Sequence, residues 1–178
     1  MAIINGLDTD SLTNVVESVR QNWESGRITR SASVEWKGGF KSEATSRQFV
    51  AQVDMPCGLC GQDSAISPLE MVLQAYGACL SVGYAMHCAA RGIKLQALKI
   101  DIEGEVDLPG FLGLKAPEHL NMDSLPGYKF IKVNVRMKAE ADDKTLQEIH
   151  QQVISTAPVG LTISRPVPVD ATLVTNEG

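Results

Sequence analysis

The chain has 178 residues, of which 44% are hydrophobic and 21% charged, and a formal net charge of −5. That composition describes one globular domain with a substantial core. The negative charge argues against nucleic acid or an anionic membrane as a partner.

The first 26 residues read as an N-terminal helical extension. Asp8 to Trp23 has Leu12, Val15, Val16 and Val19 at helical spacing, with Thr9 or Asp10 as cap and Gly26 as stop. Ile28 to Trp36 alternates like a strand, and Lys37-Gly38-Gly39 is a hairpin turn signal. Strands are expected near Phe40 to Thr45 and from Arg47 to Val53, completing an antiparallel meander. Residues 55 to 66, MPCGLCGQDSAI, have the glycine and cysteine content of a shaped loop.

Ser67 to Gly92 is the longest element. Ser67 and Glu70 form a Ser-x-x-Glu capping box, Pro68 suits the first helical position, and Arg91-Gly92 closes the helix. Its apolar residues lie all around the cylinder, which predicts burial on every face. At about 1.5 Å per residue it spans about 36 Å. One 178-residue chain has difficulty covering such a helix, so two copies shielding each other in a dimer are expected. Glycines, Gln74 and His87 make a membrane-spanning role a poor fit.

Lys94 to Val106 and Tyr128 to Lys138 alternate as half-buried strands with charged outer positions. Between them, residues 107 to 127 carry three prolines and no period, which predicts a functional or locally folded loop. Asp142 to Ile154 reads as a capped amphipathic helix, broken at Ala157-Pro158-Val159-Gly160, and Pro168 to Val174 as a last short strand. Antiparallel groups of strands interrupted by helices define an α+β class.

Cys79, at the middle of the long helix, is the candidate nucleophile. Free cysteine is among the most buried residue types, and mid-helix burial alone leaves a thiol inert, so chemistry there requires a nearby cation. Arg47 is the preferred cation, with Arg30 and Lys41 as competitors. Cys57 and Cys60 form a Cys-x-x-Cys pair open to three readings: resolving thiols, half a metal site, or unpaired loop thiols. Cys88 is expected to pack, and His87, His119 and His150 to be structural. No cofactor or bound metal is expected. No basic stretch followed by an apolar core and a cleavage site opens the chain, so the four cysteines are expected as reduced thiols in the cytoplasm.

The sequence resembles the OsmC/Ohr family (osmotically inducible protein C and organic hydroperoxide resistance proteins). The resemblance rests on Asp54-Met55-Pro56, Ser67-Pro68-Leu69-Glu70 and Gly77-Ala78-Cys79-Leu80. Ala89-Ala90-Arg91-Gly92-Ile93, the run from Val106 to Gly113, and Ala157-Pro158-Val159 extend it over roughly residues 30 to 175. It implies an intertwined homodimer with long helices packed between antiparallel sheets. It also implies a cysteine-based peroxidase that reduces organic hydroperoxides at the subunit interface, with Cys79 attacking and an arginine and a glutamate poising the thiol; recycling is expected from an external thiol or from Cys57 and Cys60. Arg47 and Glu70 are the residues here that would fill those two roles.

Two positions depart from the pattern. Ala157 stands where the family's second, resolving cysteine would be. Leu69 stands where the peroxidases place their glutamate; Glu70 is one position later, about 100° around the helix. The primary expectation is a thiol-dependent hydroperoxide reductase in oxidative-stress defence. The alternative is a catalytically silent dimer of the same fold that binds a small apolar ligand, with Phe111, Leu112 and Leu114 lining its pocket.

Overall fold

A computed structural model describes residues 2–117 and 126–175. The chain opens with a small hairpin, β1 (Ile3–Ile4) and β2 (Leu7–Asp8), turned through Asn5-Gly6, both at positive φ. Helix α1 (Thr9–Gln21) follows. Its cap is Asp8, which accepts from the amides of Asp10 and Ser11, and not Thr9 or Asp10. A turn of 3-10 helix, Trp23–Gly26, ends this segment.

Next come β3 (Ser33–Gly38), β4 (Lys41–Ser46) and β5 (Phe49–Val53) in an antiparallel meander. The first strand begins five residues later than its alternation suggests, because its pairing with β4 starts at Ser33 opposite Thr45. Arg47 does not open β5. It sits in the β4–β5 turn at φ 56°, where its guanidinium lies 5.0 Å from the centre of the Phe49 ring.

Helix α2 (Pro68–Ala90) carries the expected capping box. It leads through Gly92, at φ 72°, into β6 (Leu95–Val106), which pairs antiparallel with β7 (Tyr128–Ala139). Leu98 faces Met137, Ile100 faces Val135 and Ile102 faces Val133, so one face of this ribbon is aliphatic. The loop between these strands starts with a single turn, α3 (Leu108–Phe111), capped by Asp107. His119 lies outside the described residues. Helix α4 (Asp143–Thr156) is capped by Asp142.

Pro158 does not lead into a loop. It is the first residue of another short helix, α5 (Pro158–Ser164), since a proline is tolerated where the amide has no helical partner. The expected strand at Pro168 to Val174 is absent: residues 165 to 175 run without regular structure. Pro166 and Pro168 have no amide to give a ladder.

The core lies where α2 and α4 meet the β6–β7 ribbon. Leu80, Tyr84 and Cys88, one turn apart on α2, pack with Ile149 and Val153 of α4, Ile93 and Ala157. Complete burial of each aliphatic side chain contributes about 1.5–3 kcal/mol. Gly104 lets the Tyr128 ring lie across β6: a Cβ there would come within 2.4 Å of that ring. The Tyr128 hydroxyl then donates to the Leu69 carbonyl at 2.7 Å, fixing β7 against the first turn of α2.

Burial on all faces of α2 is not met within one chain. Gln74, Ala75, Ala78, Ser81 and Val82 are exposed, Val82 to 68%. The β3–β5 sheet is also open: Trp36 is 73% exposed, and Val34, Phe49 and Val50 are bare as well. Within one chain that sheet packs extensively only on itself.

Candidate functional site around Cys79

Cys79 lies eleven residues beyond Pro68, near the midpoint of α2, and is half-buried on the flank of the core. Cys88, nine residues on, is fully buried among aliphatic groups, and burial pushes its thiol up despite Arg91 nearby. The two thiols of this helix therefore occupy different environments. Of the two, Cys79 is the less buried.

One turn before Cys79 stands Tyr76. Burial raises its phenol, with the charge of Cys79 acting in the same direction. Tyr76 lines a groove of about 530 Å³ with Tyr128, Phe130, Gly160 and Ile163. Gly160 is what admits the Tyr76 ring, because a Cβ there would meet it at 2.6 Å. Sequence reasoning missed Tyr76. The signal available was its i−3 spacing from Cys79, which places both on neighbouring points of one helix face.

Glu70 is occupied by the helix cap. Its Oε2 accepts from the Ser67 amide at 2.9 Å and the Ser67 hydroxyl at 2.6 Å, and these bonds hold its carboxyl below the usual range. Nine residues of helix separate it from Cys79, about 13 Å along the axis and on the opposite side. Arg47 remains with Phe49 at the tip of its own hairpin. Among the described residues, no hydrogen bond or ion pair joins Arg47 or Glu70 to Cys79. Ala157 is buried in the same cluster that Cys79 flanks, so the place of the family's second cysteine is filled by a methyl group.

Two buried polar arrangements were not anticipated. The Tyr84 hydroxyl lies 2.6 Å from Nδ1 of His150, with the rings stacked, and burial pushes the phenol up to about 12. The protonated hydroxyl thus bridges α2 and α4 within the core, in keeping with a structural His150. Asp54, 1% exposed, accepts from the Ser64 hydroxyl at 2.7 Å and the amides of Met55, Ser64 and Gln62. Its carboxylate ties the two ends of the 55–66 loop together, at Met55 on one side and at Gln62 and Ser64 on the other.

Within that loop Cys57 and Cys60 are both exposed. Among the described residues, no three His, Cys, Asp or Glu side chains gather as a metal site. Nor is any helix there long and apolar enough to cross a membrane.

A long thiol-bearing helix set on an antiparallel ribbon, with a separate three-stranded meander, defines an α+β protein of the OsmC type. The sequence model of the OsmC-like protein family matches residues 61–172, and the chain belongs to that family. Its fold is similar to an OsmC-like protein from Mycoplasma pneumoniae, at 16% identity over 77% of this chain and 88% of that one, with a TM-score of 0.63. It is also similar to an organic hydroperoxide resistance protein from Elizabethkingia anophelis carrying crystallant-derived thiocyanate (14% identity, 75% and 86% covered, TM-score 0.55). A third similar structure is an organic hydroperoxide resistance protein OsmC from Legionella pneumophila (17% identity, 76% and 89% covered, TM-score 0.50). No curated protein matches the sequence significantly.

Proposed function

We propose that the chain is a thiol-dependent reductase of organic hydroperoxides, acting in oxidative-stress defence in the cytoplasm. The observation that carries this reading is the placing of Cys79: half-buried at mid-helix, one turn from Tyr76 and its aromatic groove. Family membership and the names of the solved structures of like fold point the same way.

In the reaction, the Cys79 thiolate attacks the peroxide oxygen distal to the organic group. The O–O bond breaks, an alkoxide leaves and takes a proton, and Cys79 becomes a sulfenic acid. With a methyl group at Ala157, no thiol awaits at the family's second position. Two molecules of an external thiol, or Cys57 and Cys60 together, then return the sulfenic acid to thiol: the first thiol forms a mixed disulfide and releases water, and the second displaces Cys79, leaving the reductant as a disulfide.

Among the described residues of one chain no cation is bonded to Cys79, and a homodimer supplies one. The bare faces of α2 and of the β3–β5 sheet are the surfaces that would come together, bringing the Arg47 hairpin of a second copy toward Cys79. A guanidinium there would stabilise the thiolate and the charge developing on oxygen. Glu70, held in the cap, is a positioning residue that fixes the start of α2.

The test is consumption of cumene hydroperoxide with dithiothreitol as reductant. Cys79→Ser is expected to lower the rate at least about 100-fold, since it removes the nucleophile. Cys57→Ala/Cys60→Ala is expected to leave the first turnover intact. If the unaltered protein consumes no hydroperoxide with any thiol, the peroxidase reading fails. The alternative then stands: a dimeric binding module, supported by the exposed Phe111, Leu112 and Leu114 and recognised by ligand-dependent thermal stabilisation.

A further inference from the structure

Cys57 and Cys60 lie in a loop held by many hydrogen bonds of its own. Its ends are tied by the Asp54 amide donating to the Ile66 carbonyl at 3.3 Å. Inside, the Leu59 and Gly61 amides both donate to the Pro56 carbonyl, at 2.9 and 3.2 Å, and the Asp63 amide to the Met55 carbonyl at 3.0 Å. Met55 and Gly61 are in such close contact that a Cβ on Gly61 would stand 1.7 Å from the Met55 carbonyl oxygen. The Asp54 carboxylate fills the loop's polar centre.

This scaffold fixes the separation of the two cysteines. The Cys60 amide donates to the Cys57 carbonyl at 3.1 Å, closing a single i to i+3 turn. Such a turn holds its end Cα atoms within about 7 Å, and disulfides span Cα separations of about 4.4–6.8 Å. Both side chains are exposed, so neither is needed to fill a core. Cys60 adopts a left-handed conformation, φ 66°, a position where glycine or asparagine would be the undemanding choice. Cys60 also opens onto a cleft of about 310 Å³ between this loop and the β3–β4 turn, lined in addition by Lys37, Lys41, Gln62 and Asp54, whose carboxylate is taken up by the loop's own donors. Lys37 is paired with Glu35 at 2.7 Å, whereas Lys41 has no ion partner among the described residues.

We propose that Cys57 and Cys60 form a second redox site, a dithiol that closes to an intraloop disulfide by exchange with an anionic low-molecular-weight disulfide docked beside Lys41. The Cys60 thiolate attacks one sulfur of the small disulfide, forming a mixed disulfide and releasing one small thiolate. The Cys57 thiolate then attacks the Cys60 sulfur, forming the Cys57–Cys60 bond and releasing the second. One small disulfide is reduced to two thiols and one protein dithiol is oxidised, with two protons passing to the departing thiolates. Excess small thiol reverses both steps. A rigid turn favours the second step, because the two sulfurs need no search to meet.

The experiment uses the full chain with Cys79→Ser, so that failure here is separate from failure of the peroxidase reading. The protein is equilibrated with mixtures of reduced and oxidised glutathione, alkylated and mapped by mass spectrometry. The expected result is loss of two alkylatable thiols with a bridge inside residues 57–60. Cys57→Ser should stop at a glutathione adduct on Cys60, and Cys60→Ser should form no bridge; both side chains are exposed, so folding is not at stake. Lys41→Met should slow exchange with glutathione disulfide about tenfold while leaving exchange with uncharged 2-hydroxyethyl disulfide unchanged. Free thiols throughout, or a bridge from either cysteine to Cys88 or to a second chain, overturns the site. Equal slowing with both disulfides overturns the docking at Lys41.

Discussion

Asp54 shows how one side chain can order a segment that has no periodicity of its own. Its hydrogen bonds, that from the Ser64 hydroxyl foremost, lower its carboxyl from the ordinary 3.8 to about 2, so the folded state prefers the ionised form. The carboxylate therefore stabilises the fold fully above about pH 4, and that contribution is lost as pH falls toward 2. Asp54→Asn is expected to lower the thermal midpoint near pH 6, with the difference from the unaltered protein shrinking between pH 4 and 2. A difference independent of pH would mean that the charge is not what anchors the loop. None of this was legible in the sequence, although Asp54-Met55-Pro56 was recognisable as a motif. The partners Gln62 and Ser64 lie eight and ten residues on, in a stretch where no repeat announces who meets whom. The position of Cys79 was legible from the helix that holds it, whereas Tyr76 and its groove depend on where Tyr128, Phe130 and Gly160 arrive.

At the level of elements, α2 was the most readable because its ends carry their own chemistry. Ser67, Pro68 and Glu70 start it through contacts within four residues, and the structure places it at Pro68–Ala90. Ser67→Ala removes the hydroxyl's bonds to the Glu70 amide and carboxylate, leaving only the bond from the amide of residue 67 to that carboxylate, and is expected to cost about 1 kcal/mol, read as a lower urea midpoint with an unchanged slope. An unchanged midpoint would show that burial of the helix, not its cap, sets its start. Strand ends were less readable, since a strand stops where its neighbour stops. Ser33 and Phe49 begin their strands because Thr45 and Ser46 are there to pair with them, and Arg47 is left in the turn. The last segment illustrates the limit of alternation as a signal: apolar spacing around Pro168 suggested a strand, and no neighbouring chain segment receives it.

Across the whole molecule, the most informative surfaces are those that a single chain leaves bare. The apolar helix points to a second copy from its sequence alone, and the structure specifies which faces remain open: Val82 on α2 and Trp36 on the meander. Apolar area of this kind is seldom left to water in a monomer. The chain is expected to sediment as a dimer, and Val82→Glu or Trp36→Glu to sediment as a folded monomer, because neither side chain takes part in the core of one chain. A monomeric mass for the unaltered protein would remove the second copy, and with it the proposed source of the cation at Cys79.

The small N-terminal hairpin bears on how the protein can be cut. The amide group of Asn5 answers the Ile93 carbonyl at 3.0 Å and the Leu95 amide at 2.8 Å, as an adjoining strand would. It is a stitch across the seam where α2 hands over to β6. A fragment trimmed to the family-matched stretch from residue 61 would lose that stitch and leave the entry to its longest ribbon to fray.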